Sequence, residues 1–115
     1  MKIRILISTG RDPRRDGKVA EVIRIAAGLG AWGQVVPDVA LFGPAVYALD
    51  SFPEELVDGH LIASYLTSIV SNGGEILVGT DSTDLSKITP SIAYRTIKRE
   101  EIFSAASTHT YSMTV

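Results

Sequence analysis

Residues 2–30 read KIRILISTGRDPRRDGKVAEVIRIAAGLG. The first seven of these, Lys2 to Ser8, are short, rich in isoleucine and closed by Thr9-Gly10, which predicts a buried strand. From Gly17 to Trp32 the rhythm changes. Val19, Val22, Ile23, Ala26 and Leu29 recur at helical spacing, with Lys18, Glu21 and Arg24 on the other side, so a helix is expected. Asp16 suits its N-cap, and Gly28, Gly30 and Gly33 close it. Trp32, at its end, reads as a packing residue. A strand, a polar loop and a helix in that order form the opening of an α/β unit.

The same alternation continues. Asp38 to Phe42 predicts a second strand, which begins as early as Val35 if Pro37 is admitted; proline cannot donate to a ladder and suits a strand's first residues. Gly43-Pro44 then opens a short helix, AVYAL. Ser51 and Glu54 fit a capping box. His60 to Ser71 predicts a helix with Leu61, Ile62, Tyr65, Leu66, Ile69 and Val70 along one stripe, stopped by Asn72-Gly73-Gly74. Glu75 to Gly79 is a third strand. The tail admits two readings: one helix from a Thr89-Pro90 cap to Ala106, or a strand at Tyr94–Lys98, a helix at Arg99–Ser107 and a strand at Thr110–Val115. The second is preferred, because Tyr111, Met113 and Val115 alternate strictly with polar neighbours. A largely parallel sheet follows, in one domain spanning residues 1–115. The loops after the strands (Ser8–Gly17, Phe42–Pro44, Gly79–Ser86) then gather at the edge where such sheets bind ligands.

Composition narrows the function. Net charge is −2 over 115 residues, and the sequence pI is about 5.6, so neither nucleic acid nor an anionic membrane is expected as a partner. There are no cysteines. Disulfides, thiolate metal sites and a cysteine nucleophile are excluded. No apolar run approaches the roughly 18 residues of a membrane span, and the first residues lack a signal-peptide pattern; a cytoplasmic protein is expected. With 45% hydrophobic residues in so short a chain, some apolar surface is expected at a subunit interface.

The loop after the first strand does not fit a phosphate-binding loop. Gly10 and Gly17 stand six residues apart rather than four, Val19 occupies the hydroxyl position, and Pro13 removes a donor. No G-x-G-x-x-G follows the strand. What remains is Arg11, Arg14 and Arg15 near a helix start, which favours a small anion. Asp81 and Asp84 suit Mg²⁺ by chemistry, but capping and turn roles are favoured, since no third acid stands at a neighbouring strand end. His60 and His109 form no ligand pair. Ser82, His109 and Asp81 spell a triad only on paper, without a G-x-S-x-G elbow.

The layout resembles the DsrE-like family of sulfur-relay proteins, which includes the TusD-type subunits. The resemblance is carried by Thr9-Gly10 at the end of the first strand, by the Ala-rich helix, and by Phe42-Gly43-Pro44-Ala45-Val46-Tyr47. EILVG and the tail segments AYRTIK, REEIFSAAS and THTYSMTV complete it. It implies a three-layer α/β/α sandwich with a mostly parallel five-stranded sheet, a homo-oligomer (trimer or hexamer), and a sulfur-relay partner protein. It also implies a persulfide-carrying cysteine after the third strand. Gly79 and Ser82 stand where cysteines would be expected, and a serine hydroxyl cannot hold a relay persulfide. The expectation is therefore a non-catalytic domain with no cofactor and no metal. It would bind a partner protein or small anion through Thr9, Gly10, Arg11, Gly43, Gly79, Thr80, Asp81 and Ser82. The alternatives are a relay subunit whose cysteine sits on another chain, or an enzyme using Asp81 or Ser82.

Overall fold

The Ile-rich start of the chain forms β1 (Ile3–Thr9), and the amphipathic run after it forms α1 (Lys18–Gly30). The computed structural model describes residues 3–50, 53–82, 84–98, 100–101, 104, 109 and 111–115. The Ser51 half of the expected capping box, and most of the expected helix Arg99–Ser107, lie outside these residues. Further along come β2 (Val35–Leu41), α2 (Gly59–Ser71), β3 (Ile76–Gly79), β4 (Arg95–Ile97) and β5 (Tyr111–Thr114). The sheet order is β4-β3-β2-β1-β5, and all four pairings are parallel, not merely most of them.

β2 starts at Val35, so Pro37 sits inside a central strand. The ladder explains why. The Val39 amide donates to Glu75 O at 2.9 Å, and the Phe42 amide donates to Thr9 O at 3.0 Å, so odd residues of β2 address β3 and even residues address β1. Pro37 is odd, and the pairing with β3 begins only at Val39↔Ile76. The missing donor therefore faces a stretch that no neighbouring strand occupies.

Right-handed crossovers decide the layers. From β1 to β3 the chain advances one strand at a time, so α1 and α2 share a face and pack on each other. Val19, Val22, Ile23 and Ala26 of α1 meet Ile62, Leu66 and Ile69 of α2 over Ile7, Val39, Leu41, Ile76 and Val78 of the sheet. The step from β4 to β5 returns across the whole sheet, and the described helical residues of that step, Glu101 and Ser104, lie on the opposite face, as the same rule requires. That face carries a smaller apolar cluster of Leu6, Ala40, Leu77 and Ile97, with Phe42 against it. Glu101 and Ser104, both helical, line a cavity there with residues of β1 to β4.

Several local expectations shift. The α1 N-cap is Gly17 rather than Asp16, whose Oδ1 accepts from the Lys18 amide at 2.9 Å. Trp32 is 77% exposed and packs in no core. Of the expected stripe on α2, Leu61 and Val70 face solvent while Ile62, Leu66 and Ile69 are buried. The expected short helix AVYAL is present as a 3-10 helix, Gly43–Leu49, and Gly43 enters it at φ 50°, where a side chain would be strained.

Candidate functional site

The carboxyl ends of β1, β2 and β3 bring the sequence-predicted residues together. Thr9 is fully buried. Its carbonyl accepts from the Phe42 amide, and its Oγ1 accepts from the Arg11 amide at 3.2 Å. The Ser82 hydroxyl donates to Gly43 O at 2.9 Å, and the Ser82 amide donates to Gly79 O at 3.2 Å. One serine thus ties the loop after β3 to the loop after β2. Gly79 is forced by crowding: a Cβ there would lie 2.6 Å from Phe42 Cδ1 and 2.9 Å from Asp81 Oδ1. Gly10, Arg11, Thr80 and Asp81 are exposed on the rim, and Thr80 donates its amide to Ile97 O at 3.0 Å.

The three arginines of the first loop separate. Arg14 pairs with Asp12 at 2.9 Å and lies over the Tyr47 ring at 3.8 Å; Arg15 pairs with the same carboxylate at 3.4 Å. Arg14 side-chain hydrogen bonds hold the Asp12 carboxyl below its ordinary value. The Arg14 amide and the charges of both arginines add to this, and partial burial opposes it. Arg11 makes no ion pair among the described residues, which leaves it as the cation at the rim. Asp84 accepts from Tyr47 at 3.1 Å and pairs with Lys87 at 3.3 Å. It is therefore a bracket between a 3-10 helix and the next loop. Among the described residues no three metal-ligating acids or histidines cluster.

The paper triad does not assemble. Ser82 is engaged by Gly43, while the His109 Nε2 donates to Asp38 Oδ2 at 2.7 Å. His60 is exposed in the first turn of α2. Asp38, which sequence reasoning passed over as a strand start, is a heavily connected side chain of the sheet. It is 1% exposed and accepts from Arg4 Nη2 on both oxygens (2.9 and 2.8 Å), from the Glu75 amide at 2.8 Å and from His109. The signal for it was a lone carboxylate inside VVPDVALF, where every neighbour is apolar. Burying such a charge is costly without partners, so partners were implied.

No family model matches the sequence, and no curated protein matches it. Among solved structures, the crystal structure of the YchN protein from E. coli superposes with a TM-score of 0.80 at 15% sequence identity, over 100% of both chains. The fold is DsrE-like. At that identity the likeness speaks for architecture alone. In this DsrE-like domain the loop after β3 holds no thiol, and the buried Ser82 hydroxyl serves as a structural tie.

Proposed function

We propose that this DsrE-like domain is a non-catalytic binding module, working as a homo-oligomer in the cytoplasm, that holds a small oxyanion at the rim formed by the β1, β2 and β3 carboxyl ends. The Ser82–Gly43 hydrogen bond carries the reading. A hydroxyl already donating to a carbonyl, and hydrogen-bonded to no base among the described residues, is not an activated nucleophile. The same bond weighs against an enzyme built on Ser82. The rim retains Arg11 and exposed loops that can clasp an anion without covalent change. A relay complex whose cysteine lies on another chain is the second reading, favoured by a DsrE-like fold with no cysteine of its own.

The test is amide NMR of the full chain titrated with sulfite, sulfate and thiosulfate at constant ionic strength. Saturable shifts at Gly10, Arg11, Gly43 and Thr80, weakened in Arg11→Ala, are expected. Unmoved amides in all three titrations would remove the small-anion reading and leave the partner-protein one. Copurification from source cells of a chain bearing a reactive cysteine would favour the relay subunit.

The subunit contact belongs on the sheet edge. β5 is uncharged and exposed throughout, and it carries Tyr111, Met113 and, just beyond, Val115 at 62%, 53% and 40% exposure. Edge strands that stay alone are usually blunted by charge, proline or a bulge, and this one has no charge and no proline.

A further inference from the structure

On the opposite face of the sheet, away from the strand-end rim, Asp38 and His109 stand in the wall of a cavity of about 410 Å3. We propose that this cavity is a binding site for a small zwitterion, a free amino acid or a molecule carrying one ammonium and one carboxylate over a short apolar body. The inference does not depend on the strand-end reading.

The charges argue for it. Two arginines line the cavity, each already anchored on a carboxylate: Arg4 on Asp38 at 2.8 Å and Arg95 on Glu75 at 3.1 Å. Each uses only its Nη2 in that anchor, so Nε and Nη1 remain as fixed donors. An anchored guanidinium loses less side-chain freedom when a second carboxylate arrives, which is how arginine selects such groups. Glu101 lines the same cavity and makes no ion pair among the described residues, so one carboxylate remains after the two arginine pairs are matched and His109 is taken up by Asp38. Unspent donors call for an anion and the surplus carboxylate calls for a cation. One ligand bearing both charges satisfies them together, whereas a simple anion leaves Glu101 opposed to it. Leu77 and Ile97 line the same cavity and supply apolar contact, and the volume lies in the range of roughly 300–1,000 Å3 usual for small-molecule sites.

The test is amide NMR of the full chain with each of the twenty free L-amino acids at about 10 mM, enough to detect millimolar affinity. Acetate and methylamine serve as single-charge controls. At least one amino acid should shift Glu75, Leu77 and Ile97 saturably while Gly10, Gly43 and Thr80 stay still. Acetate and methylamine should each bind at least about 10-fold more weakly, as the loss of one charged hydrogen bond implies. Arg95→Gln and Glu101→Gln, both at exposed positions, should each weaken binding by a similar factor without unfolding the chain. Absence of shifts with every amino acid, equal binding of acetate, or unchanged affinity in both variants would overturn the site.

Discussion

The imidazole of His109 and the carboxylate of Asp38 meet at 2.7 Å although 71 residues separate them, and the side chains are only 8% and 2% exposed. The contact joins the approach to edge strand β5 to the centre of the sheet. Asp38→Ala is expected to cost about 3 kcal/mol, because it strips the Glu75 amide and His109 of their acceptor in a buried place. His109→Ala should cost about 1–2 kcal/mol. Urea unfolding measures both, and hydrogen exchange should report faster exchange in β5 than in β1 for the histidine variant. Equal stabilities would mean that the carboxylate finds other partners.

Gly79 and Ser82 should respond differently to a cysteine. Gly79→Cys drives a Cβ to 2.6 Å from the Phe42 ring, so a loss of about 1–3 kcal/mol is expected, and Phe42→Leu in the same chain should relieve it. Ser82→Cys adds little volume and forfeits mainly the bond to Gly43, a loss of about 1 kcal/mol. Thermal unfolding of the three variants separates these cases; a Gly79→Cys chain as stable as the parent would contradict the crowding.

Acid should loosen the first loop through Asp12. Its folded-state value lies below the ordinary 3.8, chiefly because of the Arg14 hydrogen bonds. A depressed carboxyl contributes stability that is fully present above about pH 4 and fades as pH falls through the folded value. Asp12→Asn should therefore be less stable than the parent at neutral pH, by about 1 kcal/mol since both arginines are partly or largely exposed. The gap should close in strong acid. Stability curves of the two chains that stay parallel from pH 7 to pH 2 would exclude the effect.

Met113→Lys places a charge on the β5 edge at a position 53% exposed in the single chain. Folding should change by no more than about 0.5 kcal/mol. Sedimentation should show a smaller particle if β5 forms the subunit contact. An unchanged mass would move that contact elsewhere.

The strand-end rim was legible because turn chemistry marks where strands stop. Thr9-Gly10 and Gly43-Pro44 interrupt apolar runs, and parallel order then gathers those ends at one edge. Asp38 was legible only as an anomaly. Its partners Arg4, Glu75 and His109 come from distant segments, and nothing local to any of them announces the meeting. Whether β2 starts at Val35 or Asp38 stayed open in the sequence for a related reason. The cost of Pro37 depends on whether a neighbouring strand faces its missing amide, which is a property of the sheet and not of the strand.

Periodicity and breakers, both local, were enough to determine alternating strands and helices and a parallel layered domain, and composition alone excluded any thiol. Which hydroxyl is spent on a carbonyl and which carboxylate is buried were decided by the tertiary structure. Those outcomes rest on distances of a few ångströms between segments far apart in the chain, and each group's free energy depends on partners that only the folded arrangement supplies.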